Sequence, residues 1–280
     1  MILLFIALLG VLFYLFNRAY KNTKDIIINR IEINQTDKQE SVLNILQLSD
    51  MHLENISITP DELHEKLKDE TIDLIALTGD FLDRKRTIPK LIPYLKVLNQ
   101  LDVKYGMYAV FGNHDYVLRK DDLNNLKEIL EVHGCKVMQN ENKVISVEGR
   151  TVNIIGIDDC STGRSDLEAS FANITNGTNL VITHDPNIVL NMKNYHFDYL
   201  MAGHFHGGQI CYPKAYHLMK MGKLVKMNMI KGMHVHDGKP FYINEGLGQT
   251  GINIRIGSRP EITLHQLSIS YNNHESLPAS

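Results

Sequence analysis

The chain is poor in cysteine, with three in 280 residues, at Cys135, Cys160 and Cys211. An odd count at wide spacing builds no disulfide framework. No Cys-x-x-Cys pair is present, which excludes a structural thiolate zinc and points to a reducing compartment. An excess of either charge is also lacking. The net charge of -3 leaves no electrostatic footprint for a nucleic-acid polymer. There is no internal repeat and no low-complexity linker, so the chain after its first residues reads as one α/β domain, 22–280.

The first residues lack charge altogether. Residues 1–16 are almost purely apolar, and Asn17, Arg18, Lys21 and Lys24 come next. At 1.5 Å per residue the apolar run spans roughly 24 Å, a little short of a ~30 Å hydrocarbon core, and flanking residues close the gap by snorkelling. A positive stretch before the run, a small-x-small cleavage site and a twin-arginine pair are all absent. The run therefore reads as an uncleaved membrane anchor, 1–21, rather than a signal peptide. Positive charge on its C-terminal flank places the body on the cytoplasmic side of a single-pass protein.

Beyond the anchor the chain is rich in short β-branched runs. Strands are expected at 26–33, 42–48, 72–77, 107–111, 180–183, 199–202, 241–244 and 262–269, with a hairpin at 143–147 and 150–157 around Glu148-Gly149. Thr59 caps a helix with Pro60 at its first position, and helices are expected at 88–99 and 121–133, the last stopped by Gly134. Helices alternate with strands early and strands dominate late, which suggests a pair of mixed sheets with helices outside.

Residues 213–232 contain five lysines (Lys214, Lys220, Lys223, Lys226, Lys231) and no acid, interleaved with Met and Leu. Methionine adapts to variable apolar groups, and lysines beside apolar residues suit an anionic lipid surface, so the segment reads as a cap-like insertion. A partly buried helix with a solvated basic face is the alternative.

Histidine is abundant, with 13 residues, and five of them stand just past expected strands. The clusters are Asp50-Met51-His52, Gly79-Asp80-Phe81-Leu82-Asp83, Gly112-Asn113-His114-Asp115, Thr183-His184-Asp185 and Gly203-His204-Phe205-His206. Each alone reads as a cap or a turn. Five strand ends that all carry Asp, Asn or His point to a shared site, because α/β sheets bind ligands at the carboxyl ends of their strands. Imidazole, carboxylate and amide oxygen without thiolate suit Mn²⁺ first, with Fe or Zn²⁺ as alternatives. The ligands outnumber what one ion takes, and two ions bridged by a carboxylate would use them all.

These motifs, in this order, resemble the five motifs of the calcineurin-like metallophosphoesterases over about residues 42–268. The resemblance implies a four-layer α/β/β/α sandwich. It implies that Asp50, His52 and His206 hold one metal, that Asn113, His184 and His204 hold a second, and that Asp80 bridges them. It gives His114 the leaving oxygen, Asp115 the orientation of His114, and Asp83 a supporting place. The anchor, Gly207-Gly208-Gln209-Ile210, Gly246-Leu247-Gly248 and Arg259-Pro260-Glu261 resemble a membrane-associated branch known for hydrolysis of the UDP-2,3-diacylglucosamine pyrophosphate. Phe205 replaces the Thr common in that position, which touches substrate shape and not metal ligation. Lys85 and Asp115 depart from the serine/threonine protein phosphatase pattern. The expected activity is hydrolysis of a phosphodiester or pyrophosphate, lipid-linked or nucleotide, at a membrane. The alternatives are a phosphodiesterase of small soluble nucleotides, a phosphomonoesterase, and a metal-binding membrane partner without activity.

Overall fold

Runs such as Leu74-Ile-Ala-Leu-Thr and Tyr199-Leu-Met-Ala are apolar on both faces, so they are stable only where both faces are covered. The computed structural model, which describes residues 1–33, 41–56 and 58–269, buries them in two stacked sheets. The strands are β1 (Ile27–Ile33), β2 (Ser41–Leu48), β3 (Leu74–Thr78), β4 (Met107–Val110), β5 (Cys135–Val137) and β6 (Glu141–Val147). Then come β7 (Arg150–Gly156), β8 (Thr178–Ile182), β9 (Tyr199–Ala202), β10 (Gly232–His236), β11 (Lys239–Ile243) and β12 (Glu261–Ile269). One sheet has the order β1-β12-β2-β3-β4-β5 and the other β10-β11-β9-β8-β7-β6. Both are mixed: β2, β3, β4 and β5 run parallel and β12 runs against β2, while β7, β8, β9 and β11 run parallel between antiparallel edges.

Three apolar layers hold the stack together. Leu43, Leu74, Val110, Ile154, Leu180 and Met201 fill the space between the sheets. On the outer face of the first sheet lie the helices α2 (Pro60–Leu67), α3 (Ile88–Leu98) and α4 (Lys120–Val132), packed through Leu63, Leu91, Leu95 and Leu126. The second sheet is covered by loops and short helical turns that contribute Ile188, Met192, Leu218 and Leu224. This is the expected four-layer arrangement. Local chemistry also behaves as expected: Thr59 and Glu62 form a reciprocal cap on α2, and Glu148 and Gly149, at φ of 50° and 82°, turn the β6–β7 hairpin.

Before this domain runs α1 (Ile2–Lys21), whose apolar side chains are exposed along nearly its whole length. Twenty residues span about 30 Å, and the most apolar 18-residue window within Ile2–Lys24 has a mean hydropathy of 2.1, enough in length and composition to cross a bilayer. Its last turn is seated on the domain. The Arg255 backbone N–H donates to the Ala19 carbonyl at 2.9 Å and Asn22 Nδ2 donates to the Arg255 carbonyl at 2.8 Å.

Two expectations change. Strands β5 and β10 add to the expected set. The basic segment is not the single helix of the alternative reading: it is a turn at Tyr216–Leu218 and a short helix at Lys223–Lys226, joined by irregular chain. Leu218, Leu224, Val225 and Ile230 are buried while Lys214, Lys220, Lys223 and Lys226 are exposed, and Lys231 pairs with Glu245 at 3.1 Å. Parts of the expected 22–280 domain, namely 34–40, 57 and 270–280, lie outside the described residues.

Candidate metal centre

All five motif clusters converge at one end of the stack, just past the carboxyl ends of β2, β3, β4, β8 and β9. The two sheets are tied together there by polar contacts. Gln47 on β2 donates to the Ala202 carbonyl on β9 at 3.0 Å, and His184 Nδ1 donates to the Thr78 carbonyl on β3 at 2.8 Å. The turns that carry these side chains leave the strands sharply. Asp50, His52, Asp80, His204 and His206 have φ of 46°, 36°, 53°, 79° and 50°, a left-handed conformation that costs on the order of 1–3 kcal/mol per residue and concentrates at functional sites. Two glycines admit the carboxylates: a Cβ at Gly112 would collide with Asp80, and one at Gly203 with Ser49 Oγ and Asp50.

The donor set divides into two groups that meet at Asp80. In one, His52 Nε2 lies 3.2 Å from His206 Nε2, and Asp50 Oδ1 lies 3.3 Å from His206 Nε2. In the other, His184 Nε2 lies 3.2 Å from Asn113 Oδ1 and 3.2 Å from His204 Nδ1. Asp80 Oδ2 stands 3.1 Å from His184 Nε2 and 3.6 Å from His52 Nε2, between the groups. Asp50, His52, Asp80 and His184 are essentially fully buried, and His204 and His206 are nearly so.

The chemistry of this set fits cations. The Thr78 carbonyl only accepts, so His184 carries its proton on Nδ1 and turns the lone pair of Nε2 toward Asp80 and Asn113. Asp83 Oδ1 accepts from His52 Nδ1 at 2.8 Å, which turns the lone pair of His52 Nε2 toward His206 and Asp80. His206 Nδ1 is buried and has no hydrogen-bond partner among the described residues. Lone pairs and carboxylates thus face one another with too few donors between them, which is unfavourable in a water-poor interior unless positive charge is supplied. In the metal-free protein protons supply it. Burial opposes the charged form of His184, but Asp80 and Asp50 pull its pKa well above the ordinary value, and His52 is raised by Asp83 and Asp80 against burial. His206 is pushed down to about 3 by burial. Divalent ions would displace such protons, and metal affinity should rise with pH.

His114 sits at the rim, partly exposed, with its backbone N–H on Asp80 Oδ1 at 2.8 Å. Its partner differs from the expected one. Asp83 Oδ1, not Asp115, lies 2.9 Å from His114 Nδ1. The Asp115 carboxylate turns inward and accepts from the backbone N–H groups of Gly112, Asp80 and Phe81, each at 2.9 Å, holding the third motif against the second. Burial opposes protonation of His114, but the Asp83 hydrogen bond and the Asp80 charge raise it to about 9. His52, Asp80 and His114 are themselves close enough to share an ion.

Sequence reasoning missed Arg255. Its guanidinium is fully buried and donates to the carbonyls of Glu245, Gly246, Gly248 and Arg259 at 2.7–2.9 Å, with a longer contact to His206. Gly246 in turn packs on Asp50 Cβ. One side chain therefore links the seat of α1 to the turns beneath Asp50 and His206. Nothing in its neighbourhood in the sequence signals that role.

A pocket of about 350 Å³ opens over the centre. Asp80, Asn113, His114, His204 and His206 form its floor, and Phe205, Ile210, Leu218, Met221 and Ile252 give it an apolar wall. The residue that departs from the common motif, Phe205, is thus part of the wall.

Comparison with known proteins agrees with this geometry. Residues 43–208 match the calcineurin-like phosphoesterase family. The uncharacterized metallophosphoesterase YkoQ of Bacillus subtilis is 60% identical, over 95% of this chain and 99% of its own. The phosphodiesterase YaeI of Escherichia coli is 26% identical over 80% of this chain and 81% of its own. The UDP-2,3-diacylglucosamine pyrophosphatase LpxG of Chlamydia trachomatis is 26% identical over 79% and 82%. A family match across the motifs, a relative matched over nearly its full length, and a donor set fit for two cations make this chain a calcineurin-like phosphoesterase, a metal-dependent enzyme.

Proposed function

We propose that this phosphoesterase hydrolyses a phosphodiester or pyrophosphate bond of a substrate with an apolar part, presented at a membrane surface. In this reading Asp50, His52 and His206 hold one divalent ion, Asn113, His184 and His204 the other, and Asp80 joins them, with Mn²⁺ the first metal to test. The ions, when bound, would supply an activated water and neutralise phosphate charge. The rest falls to side chains. His114 is held by the Asp83 carboxylate, which favours its protonated form, and sits at the pocket floor, where a departing alkoxide or phosphate needs a proton. Asp115 keeps the turn of the third motif fixed, so that Asn113 and His114 are presented together.

The observation that carries this reading is the shared placement of pocket and helix. The segment that walls the pocket with Ile210, Leu218 and Met221 also borders the end of α1, where Ile210 and Tyr212 share a groove with Leu15 and Ala19. Beside them Tyr216, Met219, Lys214 and Lys220 are exposed, the amphipathic composition of a surface that lies on lipid. Two relatives, named as a phosphodiesterase and as a UDP-2,3-diacylglucosamine pyrophosphatase, support the bond type and an amphiphilic substrate. The Arg18, Lys21 and Lys24 flank supports an anchored body on the cytoplasmic side.

The test uses the full chain in neutral detergent micelles, stripped of metal and reloaded with Mn²⁺. Bis-p-nitrophenyl phosphate should be cleaved faster than the p-nitrophenyl monoester. Chelation and Asp80→Asn should both reduce turnover to background, with bound metal lowered in the variant. A preference for the monoester would replace the diester reading, and wild-type metal content and rate in Asp80→Asn would remove Asp80 from between the ions.

A further inference from the structure

Beside the candidate centre lies a second depression, about 540 Å³, whose basic side chains the proposed reaction does not use. Its walls include Glu54, Asp83, Arg84, Arg86, Lys90 and Gly251. It adjoins the first pocket at two points. Asp83, which faces this groove, bonds His114, which faces the pocket. Gly251 faces the groove, while its neighbours Thr250 and Ile252 face the pocket.

The two acids of the groove are engaged internally. The Glu54 carboxylate accepts from the backbone N–H of Asp83 at 3.0 Å, from that of Arg84 at 2.9 Å, and from the Thr87 hydroxyl. Asp83 is taken by His52 and His114. The side chains of Arg84, Arg86 and Lys90 are exposed, and among the described residues no acid pairs with them. One depression is therefore apolar-walled and the other cationic, and they meet at the group that would protonate the leaving oxygen.

We propose that the cationic groove is an anion subsite, which binds a second phosphate or carboxylate of the substrate while the scissile phosphoester lies over the candidate centre. The inference rests on the phosphodiesterase reading and narrows it. The substrate class is a phosphoester that carries one further anionic group beyond the bond that is cut.

Two chromogenic esters that differ by one anion test this: thymidine 5′-(p-nitrophenyl phosphate) with and without a 3′-phosphate. The full chain, Mn²⁺-loaded in neutral micelles, should show a kcat/KM roughly tenfold higher for the 3′-phosphorylated ester, expressed mainly in KM. The double variant Arg86→Gln/Lys90→Gln should bring the ratio toward one, whereas Arg86→Lys should keep it. A ratio near one in the wild type, or one that survives the double variant, overturns the subsite. Inorganic phosphate and phosphatidylglycerol vesicles separate other sources of the anion. Loss of phosphate inhibition or vesicle binding in the double variant, with the ester ratio unchanged, would assign the groove to a free anion or a headgroup and overturn a substrate role. Hydrolysis of both esters without preference defeats the subsite alone. Hydrolysis of neither defeats the phosphodiesterase reading with it.

Discussion

Two kinds of buried histidine occur among the described residues, and they differ in what faces their ring nitrogens. His265 lies in mid-strand on β12, with Nδ1 facing the Tyr199 hydroxyl at 2.9 Å and Nε2 facing Gln47 Oε1 at 3.0 Å. Each ring nitrogen has one neutral partner of the right kind, so a single tautomer satisfies the site. His52, His184, His204 and His206 stand past strand ends, and their inward nitrogens face carboxylates, an amide oxygen or each other. No arrangement of neutral tautomers satisfies that set. A buried histidine with complementary neutral partners is part of a core. A group of them with more acceptors than donors between them favours added positive charge.

The largest effect that would sharpen this contrast belongs to the rim. His114→Ala should leave metal content intact and reduce turnover by about a hundredfold to ten-thousandfold, the range for loss of a positioned acid. Asp83→Asn should change turnover in the same direction, because it removes the group on His114 Nδ1 and on His52 Nδ1 together. Metal analysis beside the rates decides the role. If His114→Ala loses metal, His114 belongs with His52 and Asp80 as a ligand, and the division between rim and centre is wrong.

Arg255 sets a second test, between chemistry and support. Arg255→Met would strand the buried carbonyls of Glu245, Gly246 and Gly248. A loss of about 3 kcal/mol in denaturant unfolding is expected, since each unpaired buried group costs ~1–3 kcal/mol and relaxation recovers part. The Gly246 turn packs on Asp50, so metal affinity should fall as well. Unchanged metal affinity with lost stability would make Arg255 a fastening for α1 alone.

These residues also mark what the sequence discloses. The strand-end clusters are legible because a strand buried on both faces is an unbroken apolar run, and the polar residue that ends it must sit at the sheet's edge. Thr59 with Glu62, and Glu148-Gly149, are legible because caps and tight turns are local. Strands β5 and β10 are not: Cys135–Val137 is three residues long, and Gly232–His236 is a half-exposed edge, so neither has an apolar run to announce it. The choice between Asp83 and Asp115 as partner of His114 also lies outside local pattern. Asp115 adjoins His114 in the chain, yet the turn that begins at His114 sends its carboxylate back to Gly112 and across to Asp80 and Phe81. The turn after β3 delivers Asp83 instead, from a distant part of the sequence. The buried Arg255, whose partners are backbone carbonyls spread over several turns, is visible only once the chain is folded.

The smallest effect is the one that tests the contrast from its other side. His265→Leu should leave turnover per folded molecule and metal content unchanged and cost about 1–3 kcal/mol, because the Tyr199 hydroxyl and Gln47 Oε1 lose their partner. The cost should depend on pH in a defined direction. Burial pushes His265 down to about 3 in the folded protein, against about 6.5 when unfolded. Above 6.5 neither state takes the proton. As pH falls below 6.5 the unfolded chain binds it and the folded one does not, so the wild type loses stability progressively toward pH 3. The leucine variant lacks this proton uptake, so the stability gap between the two, measured by denaturant unfolding of the metal-free proteins, should narrow between pH 7 and pH 4. A gap that stays constant would mean that His265 is not held neutral. The pairing of complementary neutral partners would then no longer be enough to tell a core histidine from one that serves a metal.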